Sequence, residues 1–318
     1  MSIDDFIKWS IRNLEQTRKD NVIFFDYAKC KLEEWQLKLK AVNVSELLDC
    51  TKKQIVKSNK ERSFYNLINY ISQQYIEILK YTYQGNLFEA IMLLRNLLYI
   101  QKYTQYKLRD TYINYFKFIQ FDKSTDFFRV VDFAQNEQPT NCNHVPFTKR
   151  QYAKHNRFNS FGYPCLYLSN NKDCCVNEIG ELKAEEKRYY SKFKHKKNNA
   201  IYFNLIIPSD VSSMTDFEKF SFIITYPMLL LCLSPTINGS AYEEEYLFPQ
   251  LLLPSLFLTN KPELSWYIGI AYNSTKDFNT MNLVIPAKLG HNEVMPQNDI
   301  CEFISNKIAE DGPFELPK

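Results

Sequence analysis

The sequence predicts an α+β protein in two parts, an N-terminal all-α helical bundle over residues 1–120 and a mixed α/β domain over residues 121–318. Two observations support this division. Through the first part, apolar residues recur at every third or fourth position and proline is absent, a pattern typical of amphipathic helices. From about residue 122 onward, short runs of β-branched and aromatic residues appear, which are typical of strands, and prolines begin at Pro139.

The helical part contains one segment with a continuous apolar stripe, from Phe64 to Tyr83. A second such segment begins at Leu87 and continues to Phe118, and Gly85-Asn86 separates the two. Asn43 or Ser45 can cap an earlier helix. These signals predict an antiparallel bundle of four or five helices.

The second part alternates predicted strands with predicted helices. Strands are expected at residues 127–131, 165–168, 200–207, 268–272 and 283–285. Helical patterns fall at about 172–192, 216–233 and 242–259. The basic run from Lys187 to Lys197 is interpreted as the end of the first of these helices, where the helix dipole favours cations, with phosphate contact as the alternative.

Composition limits the classes of protein that fit. Hydrophobic residues make up 45% and charged residues 24% of the 318 residues, as in folded globular proteins. No apolar run reaches the roughly 20 residues of a membrane span, and the acidic start Met1-Ser-Ile-Asp4-Asp5 is unlike a signal peptide. We therefore expect a cytoplasmic protein without a membrane partner.

Other partner classes are disfavoured as well. The eight cysteines include no CxxC pair, so reduced thiols and no metal site are expected. The net charge is only +3, and the mild basic excess before residue 120 is explained by solvated helix surfaces, so direct nucleic-acid binding is not expected. Because no histidine precedes His144, the helical part does not encode a ribonuclease that needs an arginine followed closely by a histidine.

One stretch, residues 157–178, places three polar side chains on successive elements. Arg157 lies in a loop, Tyr167 in a short strand after the turn at Gly162, and Glu178 in a helix after an asparagine-rich cap. These elements would bring the three side chains together at one end of the strand.

An ordered set of motifs surrounds this stretch. They are Phe128-Arg129-Val130, Arg157-Phe-Asn-x-x-Gly162, Pro164-x-Leu-Tyr167-Leu-Ser169, Glu178, Glu245-Tyr-Leu-x-Pro249-Gln250, Gly269-Ile-Ala-Tyr272-Asn-Ser274 and Asn282-Leu-Val. In this order and spacing, residues 126–286 resemble the RES domain, the toxin of bacterial Res-Xre toxin-antitoxin pairs. The first 120 residues lie outside the resemblance.

The resemblance implies an NAD-degrading enzyme with a fold related to ADP-ribosyltransferases, acting as a growth-arresting toxin or a defence effector. NAD+ would be the substrate and no further cofactor is implied. Inorganic phosphate as co-substrate would make the enzyme an NAD+ phosphorylase, and water would make it a glycohydrolase. The implied partners are an Xre-type antitoxin or another regulatory protein and further copies of the chain, and the helical bundle would serve association or regulation.

The chemistry of NAD+ assigns roles to the matching residues. Arg129 and Arg157 are the expected phosphate clamps, because a guanidinium binds phosphate oxygens through two bonds at once. Cleavage at the ribose builds positive charge on the sugar, which Glu178 would stabilise. Tyr167 would offer its ring and hydroxyl to the ligand, and Ser274 a further hydrogen bond. Gln250 is included among the ligand-binding residues, with a turn-stabilising role as its alternative.

Each assignment has a structural alternative. Arg129 could be an edge-strand charge, Tyr167 a core residue and Glu178 a surface carboxylate, and Arg150 competes with Arg157 as the family arginine. Two other functions are also open: an ADP-ribosyltransferase that uses the same NAD pocket, and a non-catalytic protein that binds a nucleotide or a partner.

Overall fold

The structure, a computed structural model, describes residues 1–50, 60–99, 102–103, 106–107, 112–237, 243–257, 267–288 and 301–316. The α-helices, numbered along the chain, are α1 (Ile3–Leu14), α2 (Phe24–Lys40), α3 (Ser45–Cys50), α4 (Lys60–Tyr83), α5 (Leu87–Leu98), α6 (Lys172–Ile179), α7 (Asp216–Leu233), α8 (Leu252–Phe257) and α9 (Glu302–Ser305). The strands are β1 (Lys102–Tyr103), β2 (Tyr106–Lys107), β3 (Phe118–Phe121), β4 (Phe127–Ala134), β5 (Cys165–Ser169), β6 (Glu186–His195), β7 (Ala200–Leu205), β8 (Tyr267–Asn273), β9 (Met281–Pro286) and β10 (Ile308–Glu315). Short 3-10 helices span Tyr112–Phe116, Phe147–Tyr152, Glu244–Tyr246 and Pro249–Leu251.

The chain is an α+β protein with a helical N-terminus, and it forms two compact units. One unit combines residues 1–117 with residues 207–259, and the other combines residues 118–206 with residues 260–318. The first junction lies close to the predicted boundary at residue 120. Segment 207–259 differs from the predicted division, because it belongs to the helical unit although it interrupts the second part of the sequence.

Helix α7 explains why this segment joins the helical unit. Every residue from Phe220 to Leu233 is buried, so the helix is apolar on all sides and must be surrounded by other helices. Contacts from α1, α2, α3 and α4 cover it, and the ring of Tyr226 stacks on Trp35 with centroids 4.8 Å apart. A capping box between Thr215 and Glu218 fixes its start. Within the described residues, none of the helices combines the length and the apolar character that crossing a membrane requires.

A buried ion pair stabilises the same unit. Arg18 Nε donates to Glu245 Oε1 at 2.7 Å, and Glu245 is only 1% exposed. Glu244 accepts from the backbone N–H of Phe24 at 2.6 Å and from the hydroxyl of Tyr83 at 3.0 Å. Glu245, one of the residues that carry the family resemblance, therefore has a structural partner within the helical unit.

The second unit is built on one eight-stranded sheet with strand order β10-β6-β4-β5-β9-β8-β7-β3. All neighbours pair antiparallel except β7 and β8. Strands β4 and β6 pair along eight residues, whereas β4 and β5 pair only at Phe128 and Ser169. The sheet therefore separates beside Arg129, the residue after this single pair. Its core is an apolar cluster that includes Phe127, Phe193 and Leu283.

The five predicted strands are confirmed, and α7 has the predicted bounds. Three helix predictions are wrong in part. The helix expected at 172–192 ends at Ile179, because Gly180 adopts a φ of +88°, and residues 186–195 form β6. Lys192 and Lys194 pair with Asp126 at 2.6 and 3.3 Å, so a helix terminus does not explain the basic run.

The helix expected from Leu87 to Phe118 ends at Leu98. Within its second half, residues 102–103 and 106–107 pair as short strands, residues 112–116 form a 3-10 helix, and Phe118 begins β3. The intervening residues 100–101, 104–105 and 108–111 lie outside the described part of the chain. The helix expected at 242–259 is divided into short helical turns from Glu244 to Phe257, and its residues 242 and 258–259 also lie outside the described part.

Candidate active site around Glu178

Glu178 lies in the last turn of α6, and one oxygen of its carboxylate is held by three donors. Oε1 accepts from Ser274 Oγ at 2.8 Å, from Asn282 Nδ2 at 3.0 Å and, more weakly, from Cys174 Sγ at 3.9 Å. No described residue donates a hydrogen bond to Oε2. Although Glu178 as a residue is exposed, its carboxylate is therefore fixed in one position with one oxygen available to a ligand.

Helix α6 is placed by caps at both ends. Asn171 caps its N-terminus by accepting from the backbone N–H groups of Asp173 and Cys174. Near its C-terminus, Lys276 Nζ donates to the carbonyl oxygens of Asn177 and Glu178 at 3.4 and 3.3 Å. A cation at this position satisfies carbonyls that lack a helical partner and opposes the negative end of the helix dipole.

The two closer donors to Glu178 come from the β8–β9 hairpin, whose turn is itself rigid. The backbone N–H of Ser274 donates to the carbonyl of Thr280 at 2.9 Å, and Thr280 Oγ1 donates to Asp277 Oδ2 at 2.6 Å. The hydrogen bond from Thr280 lowers the pKa of Asp277, so this carboxylate stays ionised and keeps the turn closed. Ser274 and Asn282 are 1% and 3% exposed, so both donors are pre-positioned before a ligand arrives.

Arg157 reaches the same hairpin from another loop. Its side chain is buried, and Nη2 donates to Thr275 Oγ1 at 3.1 Å. Because Thr275 follows Ser274, the guanidinium of Arg157 and the carboxylate of Glu178 are bound by adjacent residues. The structure thus brings together Arg157, Glu178 and Ser274.

Tyr167 holds the loop that carries Arg157. Its hydroxyl donates to Asn159 Oδ1 at 2.7 Å and accepts from the backbone N–H of Phe158 at 3.2 Å. Phe158 is fully buried and packs against Tyr272 with ring centroids 4.7 Å apart. The hydroxyl of Tyr167 therefore positions the two residues that follow the arginine, whereas the predicted contact of Tyr167 with a ligand stays a prediction.

The turn that follows depends on a glycine. Gly162 has a φ of +75°, and its N–H donates to the carbonyl of Ala153 at 3.1 Å, which closes the loop. Asn159 Nδ2 bonds the carbonyls of Lys154 and Ser160 at 2.9 and 3.1 Å. These bonds, together with those from Tyr167, leave the Arg157 loop little freedom.

Arg129 lies apart from this hydrogen-bonded set, where β4 and β5 separate. Its Nη1 is buried and has no hydrogen-bond partner among the described residues. Burial lowers the pKa of the guanidinium, and the nearby Cys142 and Glu310 oppose this shift. Its predicted contact with a phosphate stays a prediction.

Cys175 connects the Arg129 region with α6. Its thiol donates to the carbonyl of Phe128 at 3.4 Å. Burial and the neighbouring Glu178 raise its pKa to about 12, so the thiol is protonated at neutral pH and is not a nucleophile.

Gln250 belongs to the helical unit, whereas the other predicted site residues belong to the sheet unit. It lies in the 3-10 helix Pro249–Leu251 and is half-buried. Its predicted role in ligand binding stays a prediction.

Three residues that take part in the site were not assigned a role from the sequence: Asn282, Thr275 and Asn159. Asn159 and Asn282 do occur within the motifs that carry the family resemblance. A search for amide side chains inside those motifs would have found both, whereas Thr275 has no distinguishing sequence signal.

The comparisons with known proteins give few matches. No family model matches the chain. The chain is 27% identical over 147 residues to a Bacillus subtilis (strain 168) protein described as "Putative toxin YopC", a match that covers 42% of this chain. The match covers 32% of the length of that relative, so the chain spans about a third of it.

Among solved structures, the chain is similar to one in the crystal structure of the M. tuberculosis MbcT-MbcA toxin-antitoxin complex. The two share 10% sequence identity, and the match covers 64% of this chain and 90% of the other, with a TM-score of 0.32. A TM-score of this size does not establish a shared fold.

Proposed function

We propose that the chain is a toxin that cleaves NAD+ between nicotinamide and ribose. The proposal rests chiefly on the geometry of the Glu178 carboxylate. Ser274 and Asn282 fix one of its oxygens, and no described residue bonds the other. Thr275, the residue after Ser274, binds Arg157. The site holds the negative charge of Glu178 and the positive charge of the buried Arg157, which are bound by the adjacent residues Ser274 and Thr275. A substrate with a pyrophosphate and a cationic transition state needs both.

In this reaction the bond from the ribose C1 atom to the nicotinamide nitrogen breaks, and its electron pair leaves with the neutral nicotinamide. The sugar then carries the positive charge. Oε2 of Glu178 would stabilise that charge by electrostatic attraction, with no reorganisation because Oε1 is already held. Arg157 would bind the pyrophosphate and set the distance between the sugar and Glu178.

The acceptor completes the reaction at the same carbon atom. Inorganic phosphate would give nicotinamide and a phosphorylated ADP-ribose, whereas water would give ADP-ribose and a proton. A macromolecular acceptor would make the protein an ADP-ribosyltransferase. The three outcomes share the cleavage step, so the residues above have the same roles in each.

The toxin assignment has support from two directions. The ordered motifs resemble the RES domain, a toxin family whose fold is related to ADP-ribosyltransferases, and the Bacillus subtilis relative is described as "Putative toxin YopC". An antitoxin that blocks the Glu178 site, with the helical unit as its docking or regulatory part, belongs to the same proposal. Co-expression with the product of the neighbouring gene, followed by co-purification, would identify such a partner.

The decisive assay is incubation of purified protein with NAD+, with and without inorganic phosphate, followed by separation of the products. Release of free nicotinamide is expected. NAD+ that remains intact under both conditions would contradict the proposal and favour a non-catalytic binding role. Nicotinamide release with the ADP-ribosyl group attached to protein or nucleic acid would identify a transferase.

A further inference from the structure

The second donor to Glu178, Asn282, has an unusual environment. The residue lies in β9, in the middle of the sheet, where its backbone is opposite Ser169 of β5 and Tyr272 of β8. It is 3% exposed, and its Nδ2 donates to Glu178 Oε1 at 3.0 Å. The other end of the same amide, Oδ1, is buried and accepts no hydrogen bond from any described residue.

An unsatisfied buried carbonyl oxygen lowers the stability of the fold. Rotating the amide by half a turn would not remove this cost. It would place Oδ1 against Glu178 Oε1, so that two acceptors would be in contact and the carboxylate would lose a donor. A leucine of similar size would avoid the cost altogether in this apolar strand.

The side-chain amide of Asn282 thus lowers the stability of the fold, and in return it provides a hydrogen-bond donor to Glu178. That donor matters because Glu178 lies in the exposed last turn of a short helix, where a glutamate samples several rotamers. Ser274 alone could follow the carboxylate by rotating its hydroxyl. The planar amide of Asn282 is fixed by its strand and therefore defines where Oε1 sits.

We propose that Asn282 is a positioning residue, which fixes the Glu178 carboxylate so that Oε2 faces the reacting sugar. This inference rests on the proposed function for its effect on catalysis. Its structural part, the fixation of Glu178, holds independently of the substrate. Asn282 acts through Glu178 and does not itself touch the ribose.

The first test compares Asn282→Leu with wild type in kcat, KM and Tm. Because leucine removes the donor together with the unsatisfied oxygen, kcat is expected to fall about tenfold or more while Tm stays constant or rises. A merely structural asparagine would show the opposite, a lower Tm with kcat preserved in the folded fraction. Asn273→Leu is the matched control, since Asn273 is equally buried in the same hairpin but donates to the carbonyl of Phe278 at 2.6 Å, so its loss should lower Tm.

The second test uses Asn282→Asp, which keeps the shape and replaces the donor with a carboxyl group. Two carboxyl groups in contact compete for protons, so the acid limb of the kcat/KM profile should move to higher pH by about one unit or more. An unchanged acid limb would overturn the inference. Carbon-13 NMR titration of the Glu178 carboxyl carbon gives the same comparison without any activity. A wild-type protein that leaves NAD+ intact would refute the proposed function, whereas an active wild type with an equally active Asn282→Leu variant would refute this inference alone.

Discussion

The substitution Glu178→Gln isolates the charge of the central carboxylate from its hydrogen bonds. The amide oxygen of glutamine can still accept from Ser274 and Asn282, which donate to Oε1 at 2.8 and 3.0 Å in the wild type. The side-chain position should therefore be retained. What disappears is the negative charge that would face the ribose.

The size of the effect follows from Coulomb's law. A unit charge about 4 Å from the cationic sugar contributes about 4 kcal/mol at an effective dielectric constant of about 20. Since about 1.4 kcal/mol corresponds to a tenfold change in rate, kcat should fall about a thousandfold. Glu178 is exposed as a residue, so the free energy of unfolding should change by less than about 0.5 kcal/mol.

The assay is nicotinamide release at saturating NAD+, with Tm measured on the same samples. Glu181→Gln is the control, because Glu181 is also exposed, lies three residues further along the chain and has no contact with Ser274 or Asn282 among the described bonds. Its activity should equal that of the wild type. A Glu178→Gln variant with more than a tenth of wild-type kcat would refute the electrostatic role of Glu178.

Three further predictions concern the surroundings of this carboxylate. Arg157→Lys should raise KM for NAD+ by about tenfold or more, because a lysine cannot form the two parallel bonds of a guanidinium to phosphate; an unchanged KM would exclude Arg157 as the phosphate clamp. Tyr167→Phe removes the hydroxyl that donates to Asn159 Oδ1 at 2.7 Å and accepts from the backbone N–H of Phe158 at 3.2 Å. The loss of both bonds should cost about 1–3 kcal/mol of unfolding free energy in urea titrations, whereas a purely ligand-binding hydroxyl would leave that free energy unchanged. Burial lowers the pKa of His195 to about 4, below the ordinary value of about 6.5 for the unfolded chain. Between these two pH values the unfolded chain binds one more proton at His195 than the folded chain. The free energy of unfolding should therefore fall by about 3 kcal/mol as the pH falls through that range. His195→Gln should flatten this dependence, and an equally steep dependence in the variant would assign it to another group.

The sequence was sufficient for those elements whose periodicity is unambiguous. The strongly apolar helix α7 and the short β-branched strands were predicted with nearly their observed bounds. Strand β6 was missed, although Tyr189, Ser191, Phe193 and His195 are buried at every second position. Lysines between these residues resembled a charged helix end, and only the glycine at 180 marks where the helix stops.

The return of residues 207–259 to the helical unit could not be derived from local patterns. Its cause is tertiary, because α7 is apolar on every side and requires helices around it that are distant in sequence. The same limit applies to Glu245, whose partner Arg18 lies more than two hundred residues away along the chain.

For the candidate site, the spacing of Arg157, Tyr167 and Glu178 predicted that a loop, a strand and a helix would converge. In the structure Tyr167 bonds the loop of Arg157, and the adjacent residues Thr275 and Ser274 bond Arg157 and Glu178. The separate role of each of these residues could not be predicted from their spacing. Tyr167 bonds the Arg157 loop, and Asn282 bonds Glu178, because of pairings between strands that only the folded sheet creates. Chemistry that depends on single hydrogen bonds therefore required the structure.

The central claim, cleavage of NAD+ by this chain, is tested most directly by the amount of free nicotinamide that the purified wild-type protein releases from NAD+, measured beside the Glu178→Gln variant. Stoichiometric conversion of NAD+ to nicotinamide by the wild type, with about a thousandfold slower release by the variant, is the predicted result. Intact NAD+ with the wild type, or equal release by both proteins, would contradict the account.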